Sequence, residues 1–461
     1  MRKEYLIICS MLGCMATVQS VAQTQFTVSN SASFDRKGEL VKAKITQSDA
    51  ENIGSLALYD ESGKVVPYQY LADKGRIAFL ADVKKGQSVS YTLKPGTPSK
   101  AEARASAALM RPSSRNDIAW ENARCAYRMY SRKLLSSEPN TANGVDLWVK
   151  KKAEPVIAKM YTYSNYHSEQ AEGVDAYSVA GKTLGAGGNA AYVNGKLWLH
   201  DPFDECTITA NGPLYSEFTL TYNRVEVDGD YYKKTVRIST TANGLLNKAV
   251  VKYEGRIKPM KIAAGILLHT NTAGVKYTAE ANVIGYAENK SEGTVTSPNA
   301  RFYEGIYMPG TTATATVDNQ LIIYSDYAVG SEFTYYFGGG WNIFPAGEYK
   351  ADTDWFAALK QFKQGEEKPL LQDVAATLPD KAHVLNAGIA ANSYWIANHE
   401  NPGNNLWARS VYNLGNIDFY KVYRDQQYYN YALKWAEANN WAISGGASTN
   451  NADNHTCGQT Y

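Results

Sequence analysis

The chain has 461 residues, 44% of them hydrophobic, enough for two or three domains with cores of their own. Lys and Arg number 47 against 45 Asp and Glu, a net charge of +2. No charged field marks the chain for nucleic acid, and no run of like charge suggests a solvated tail. Tyr outnumbers Phe by 34 to 12, which suits either a strand-rich protein or a wet stacking surface.

Residues 1–22 read as an export signal: Arg2 and Lys3, then the apolar "YLIICSMLGCMA", then "SVA" before Gln23, with cleavage after Ala22. Lipid attachment at Cys14 is the alternative. The apolar stretch is short for a membrane span, and no other segment is apolar enough, so no integral span is expected. Export places the mature chain in the periplasm or outside the cell, under oxidising conditions. Cys125, Cys206 and Cys457 remain, and one disulfide is expected, between Cys125 and Cys206. No paired CxxC motif exists, so no structural zinc site is expected. No cofactor is expected, and no residue is assigned as a metal ligand.

Residues 24–97 alternate in the strand manner. "SLALYDESGKVVPYQY" reads as two short strands around "ESGK", and "RIAFLADVKKGQSVSYTL" repeats the pattern. Residues 98–114, rich in Ala and Ser, read as a connector. Residues 115–367 read as a large antiparallel β-sandwich. Its hairpin "SEFTLTYNRVEVDGDYYKKTVRIST" puts Phe218, Leu220 and Tyr222 on one face and turns at Asp228-Gly229. Further strands are expected at "NKAVVKYEG", "MKIAAGILLHT", "NQLIIYSDYA" and "EFTYYFGGGW", and a helix at "DTDWFAALKQFKQGEE" closes the region. "GAGG" at 185–188 precedes a strand, not a helix. It therefore reads as a turn that lets backbone approach backbone or ligand, not as a dinucleotide loop. Residues 380–461 change to helical spacing. In the helix "QQYYNYALKWAEANNW", Tyr428, Tyr431, Leu433, Trp435 and Ala438 fall broadly on one side.

The densest polar cluster is "YSNYHSEQAEGVDAYSVAGKTLGAGG", residues 163–188, with His167, Glu169, Glu172, Asp175 and Tyr177 close together. Such groups among aromatic residues and glycines suit a site mounted on a rigid scaffold. They also suit a merely polar loop or, less well, a metal site, because their spacing matches no familiar ligand pattern. His269 ends an apolar strand, where a histidine serves either the site or the rim of the core. Arg124 and Arg128 could hold a carboxylate. Trp341, after three glycines, could stack on a sugar or anchor a core. No nucleophile elbow, phosphate loop or HExxH motif is present, which weakens serine hydrolase, nucleotide enzyme and zincin readings.

Two resemblances rest on these stretches. Trp407, Arg409, Tyr412, Gly415, Tyr420, Asp425, Tyr428, Tyr431, Trp435, Trp441, Ala452-Asp453-Asn454, Cys457-Gly458-Gln459 and Tyr461 resemble the first helical hairpin of the unsaturated uronyl hydrolases (glycoside hydrolase families 88 and 105). The resemblance implies the start of an α/α barrel, incomplete here, with Asp453 as the first of two important aspartates. "GKVVPYQ", "ENARCAYRMY", "GVDLWVK", the 163–188 cluster and "YYFGGGW" resemble the uncharacterised-domain family numbered 4861. That resemblance covers 24–97 and 115–367 as one region. It implies an oligosaccharide dehydratase that removes water from a terminal uronic acid to leave a C4=C5 double bond.

The expected fold is thus mainly β: a small N-terminal β unit, a large antiparallel β-sandwich, and an incomplete all-α segment. The expected partner is an oligosaccharide containing uronic acid. Elimination needs a neutralised carboxylate, a base for the C5 proton and an acid for the leaving O4. Arg124, Arg128 or His269 are expected at the carboxylate, His167 and Tyr177, either of which suits either role, as the base and acid pair, and Glu172 and Asp175 as groups that orient His167. Trp341 and Asp453 complete the expected site residues. The alternative is a non-catalytic carbohydrate-binding module.

Overall fold

Alternation sets the first layer. In Thr24–Ser29, Phe26 and Val28 are wholly buried and Gln25 is exposed, the period-2 pattern of a half-buried strand. In the computed structural model, which describes residues 23–461 apart from 112, 142, 180 and 376–380, this strand pairs antiparallel with Ser88–Pro95 and with Leu371–Ala375. Leu56–Asp60 and Val65–Val66 complete that five-stranded sheet. A three-stranded sheet of Arg36–Lys44, Arg76–Val83 and Tyr68–Leu71 faces it across Phe26, Val28, Val41, Leu58, Ile77 and Phe79. The small N-terminal β unit is therefore closed by a strand from far along the chain. The export-signal segment 1–22 lies outside the described residues.

The larger β region has three sheets. Its centre is an eight-stranded antiparallel sheet that contains Tyr215–Val227, Asp230–Thr241, Asn247–Glu254 and Phe333–Trp341. The expected hairpin forms, with Asp228 at φ 51° and Gly229 at φ 80° supplying the turn and Phe218, Leu220 and Tyr222 buried. Met260–Leu267 and Gln320–Tyr327 belong to a five-stranded sheet with Ala186–Val193. A second five-stranded sheet runs, in spatial order, Gly173–Asp175, Asp146–Lys150, Cys125–Met129, Asp117–Glu121 and Ser106–Met110. All three contribute to one core. Residues 106–110 thus form an edge strand where a connector was expected. The run Ser-Ala-Ala-Leu-Met gives no alternation of bulky and polar groups to reveal it.

Two sequence features acquire packing reasons. A Cβ on Gly339 would stand 2.6 Å from Leu147 Cδ2 and from the Tyr303 carbonyl, so the triple glycine lets two sheets meet closely. A Cβ on Gly185 would stand 2.2 Å from the Val145 carbonyl, the close backbone approach expected of the 185–188 turn. The helix Asp352–Glu367 packs Trp355, Phe356 and Leu359 beside Tyr303 and Tyr307.

Cys125, Cys206 and Cys457 are all free, so the expected Cys125–Cys206 bridge does not form. Cys125 points into the core, where its Sγ donates to the Gly339 carbonyl. Cys206 sits on the edge strand Glu205–Asn211 of the eight-stranded sheet.

The chain divides into two compact units, Gln23–Ala375 and a helical one over the described residues 381–461. The helices are Lys381–Asn398, Trp407–Tyr423, Gln426–Ala438 and Ala452–Thr460. In the third, Tyr428, Tyr431, Ala432, Trp435 and Ala436 are buried, so the packed side is shifted from the expected one: Leu433 is half-buried and Ala438 exposed. Among the described residues no helix is long and apolar enough to cross a membrane.

Candidate functional site

Strand register builds the site. Cys125–Met129 and Asp146–Lys150 pair antiparallel with Arg128 opposite Asp146 and Ala126 opposite Trp148, and all ten residues are buried. Cys125, Tyr127, Met129, Leu147 and Val149 enter the large core. Alternation therefore sends Ala126, Arg128, Asp146, Trp148 and Lys150 to the other face. Gly173–Asp175 pairs next, with Asp175 opposite Trp148. Three charged groups, Arg128, Asp146 and Asp175, thus meet on one face. Val156, Ile157, Met160 and Tyr161 cover part of that face, and Tyr161 and Tyr166 stack on Trp148 at 5.4 and 5.1 Å between ring centroids.

Arg128 is 4% exposed and donates to Asp146 Oδ2 from Nε (2.9 Å) and Nη2 (2.6 Å), and to Asp175 Oδ2 from Nη2 (3.2 Å). The Tyr130 hydroxyl and Trp148 Nε1 each donate to the same Asp146 oxygen at 3.2 Å. Asp146 Oδ1 and Asp175 Oδ1 are buried and accept no hydrogen bond among the described residues. Burial and then the neighbouring Asp146 charge push the Asp175 carboxyl well above the ordinary carboxylate range.

A cavity of about 620 Å³, within the size range of ligand pockets, opens beside this face. Arg115, Arg128, Tyr130, Tyr166, His167 and Glu292 are among its lining residues. His167 packs its ring on Tyr166 at 4.6 Å. Its Nδ1 is 3.3 Å from the Asp175 carbonyl and 3.5 Å from both Asp175 Oδ2 and Glu292 Oε1. A carbonyl only accepts, so that contact favours the tautomer with hydrogen on Nδ1 and a lone pair on Nε2.

Glu169 and Glu172 staple the loops. Burial works against the Glu169 carboxylate, yet hydrogen bonds from Lys151, Ser297 and Thr296 hold it at about 2. Glu172, expected to orient His167, instead accepts from the Tyr163 hydroxyl (2.6 Å) and pairs with Lys152 (3.4 Å). Asp175 alone of the two expected carboxylates reaches the histidine.

His269 and Tyr177 do not line the cavity; they stand behind its wall. His269 Nε2 donates to the Ser178 carbonyl at 2.7 Å, and Ser178 lines the cavity. Nδ1 lies 2.8 Å from Glu288 Oε1. Tyr177 is 1% exposed and meets the His269 ring edge-on at 4.9 Å. Burial disfavours the imidazolium, but Glu288, with smaller help from the Ser178 carbonyl and Glu292, raises its pKa above the ordinary value. A raised folded pKa gives stability that is fully present below the unfolded value near 6.5 and lost as pH rises through the folded one. The stability advantage of the wild type over His269→Gln is therefore expected to shrink above about pH 6.5. Thermal midpoints across pH check this; an advantage that stays constant or grows contradicts it.

The remaining expected residues lie elsewhere. Arg124, just before its strand, pairs with Glu348 and donates to the Tyr349 hydroxyl at 3.3 Å, lining a different groove. Trp341 is wholly buried and donates from Nε1 to the Lys150 carbonyl at 2.7 Å, so it anchors the core and offers no stacking face. Asp453 belongs to the helical unit, exposed in the first turn of Ala452–Thr460 and not on a loop, with its backbone N–H capped by Asn451.

One donor atom from each of His167, Asp175 and Glu292 lies within 4.8 Å of the others, a spacing that would admit a metal ion. The Arg128 guanidinium already sets a cation 3.2 Å from Asp175. The arrangement is suited to moving a proton between an imidazole and carboxyl groups.

Fold and cavity together define a multi-sheet β protein with a histidine–carboxylate pocket on a buried sheet face. The chain belongs to the family described as a domain of unknown function, DUF4861, whose model matches residues 28–371. None of the curated proteins matches it. Two solved structures similar to it are an alpha-mannosidase from Enterococcus faecalis V583 and a protein in glycosyl hydrolase family 38 from Enterococcus faecalis. Each is 11% identical with a TM-score of 0.41; they cover 77% and 78% of this chain and 46% and 48% of their own. The chain thus spans about half the length of these structures, and at such values the likeness carries no activity across.

Proposed function

We propose that this protein is a carbohydrate-active lyase that takes the uronic-acid end of an oligosaccharide and eliminates water across C4 and C5. The observation that carries the reading is His167 on the cavity wall, its Nδ1 turned to Asp175 and Glu292 and its Nε2 left as a base. Arg115 and Arg128 supply positive charge beside it for a uronate carboxylate, which makes the C5 proton more acidic. Nε2 of His167 takes that proton. The helical unit supports the same chemistry: the unsaturated uronyl hydrolases it resembles consume the unsaturated end that this reaction would form. The export-signal reading places the reaction in the periplasm or outside the cell. The binding-module alternative drew on the tyrosine content and on Trp341, and Trp341 is in the core.

Mixed with a saturated oligosaccharide ending in uronic acid, the protein is expected to generate the ultraviolet absorbance of a conjugated C4=C5 acid. His167→Ala is expected to lower kcat by about 10²–10⁴-fold with an unchanged thermal midpoint. Turnover of the variant at the wild-type rate would remove His167 from the mechanism. Binding without any absorbance change in the wild type would favour the module.

A further inference from the structure

We infer that Glu292, resting on the dehydration reading above, is the carboxylic acid that protonates the leaving O4 and is then recharged by His167. Glu292 lines the cavity, and its Oε1 is 3.5 Å from His167 Nδ1, on the side of the imidazole away from Nε2. Such contacts commonly tighten when substrate fills a site.

The loop that carries Glu292 is fixed to the histidine segment. Ser291 and Glu292 donate their backbone N–H to the Ala176 carbonyl at 3.1 and 3.3 Å. Thr294 donates to the His167 carbonyl at 2.8 Å, and Glu169 donates back to the Thr294 carbonyl at 2.9 Å. Ser291 Oγ accepts from the Ser178 N–H at 2.8 Å. Acid and base are therefore set against each other by backbone bonds on both sides. Burial also raises the Glu292 carboxyl above its ordinary range against the pull of His167, and the Asp146 charge adds to the rise. That keeps a proton available to donate.

The proton bookkeeping closes. His167 Nε2 takes the C5 proton, and the electron pair of the C5–H bond becomes the C4=C5 π bond. The C4–O4 bond breaks, and O4 leaves as water with the proton of the Glu292 carboxyl. The enzyme is left with an imidazolium and a carboxylate. The Nδ1 proton then passes to Glu292, which restores the protonated acid and leaves His167 neutral with its hydrogen on Nε2; proton exchange with water returns it to the Nδ1–H tautomer before the next turnover. Sugar in equals unsaturated sugar plus water, with no net proton taken from or given to solvent.

Glu292→Gln separates the two half-steps. In D2O, the variant is expected to exchange the C5 proton for deuterium, followed by NMR, while its formation of the C4=C5 chromophore falls by about 10²–10⁴-fold. His167→Ala is expected to lose both. Added formate is expected to restore part of the product formation of Glu292→Ala, a rescue that a purely structural role would not give. Product formation by Glu292→Gln within about tenfold of wild type overturns the assignment. Loss of exchange together with product also overturns it, because the base step would then need Glu292. A wild-type protein that forms no chromophore sinks the dehydration reading and this relay with it; an active wild type with an active Glu292→Gln sinks the relay alone.

Discussion

Replacing Glu121 by alanine is expected to destabilise Gln23–Ala375 by about 3–5 kcal/mol, the cost of stranding a buried charge. Lys150 is 0% exposed and Glu121 1%, and Lys150 Nζ donates to Glu121 Oε2 and to the Asn122 carbonyl, each at 2.7 Å. Burial pulls the ammonium pKa down, and Glu121 is the main group that opposes it. Without Glu121 the lysine must deprotonate or draw in water. Glu121 also accepts from Val156 N (2.8 Å) and Ile157 N (3.1 Å), which orders the segment that lays Tyr161 on Trp148. The cover of the site face loosens with the same change. Urea denaturation measures the loss. Adding Lys150→Met to Glu121→Ala is expected to return about 1–4 kcal/mol, since no charge is then stranded. A single-variant loss below about 1 kcal/mol would show that the pair is solvated or dispensable.

That ion pair shows where the sequence stops being readable. The strand Thr24–Ser29 and the hairpin at Asp228-Gly229 were legible because one face of each strand is apolar or the turn chemistry is local. "DLWVK" was not legible as a fully buried strand. Its Asp146 and Lys150 are charged, yet both are buried, each paired with a group on another strand. Which partner depends on register, and register is a long-range property. The 163–188 cluster was legible as dense chemistry, but not how its members divide. Glu169 and Glu172 are spent on tying loops, Tyr177 is in the core, and His167 lines the cavity with Asp175 buried against it. Glu292 had no local signal at all. "NKSEGTV" reads as a polar turn, and only the bonds from Thr294 to His167 and from Ser291 and Glu292 to Ala176 bring it to the site.

Gly293→Ala is expected to lower the proposed activity by about 10²-fold or more while the rest of the sandwich stays folded, because misplacing a catalytic group by about 1 Å has that effect. Gly293 sits at φ +68°, and a Cβ there would stand 2.1 Å from the His167 carbonyl oxygen and 3.3 Å from that of Asp175. Both atoms are rigid backbone, so the loop must move away from the histidine. The move breaks the 2.8 Å bond from Thr294 N to the His167 carbonyl and carries Glu292 off His167 Nδ1. The left-handed backbone alone costs about 1–2 kcal/mol, which lowers stability but would not explain so large a loss of rate. Gly63→Ala isolates that strain. Gly63 also has positive φ, +81°, with nothing within 4 Å of the added Cβ. A larger thermal shift in Gly293→Ala than in Gly63→Ala, with activity lost only at Gly293, is the expected pattern. Full activity in Gly293→Ala would mean that the loop holding Glu292 need not be docked on His167 for the reaction to run.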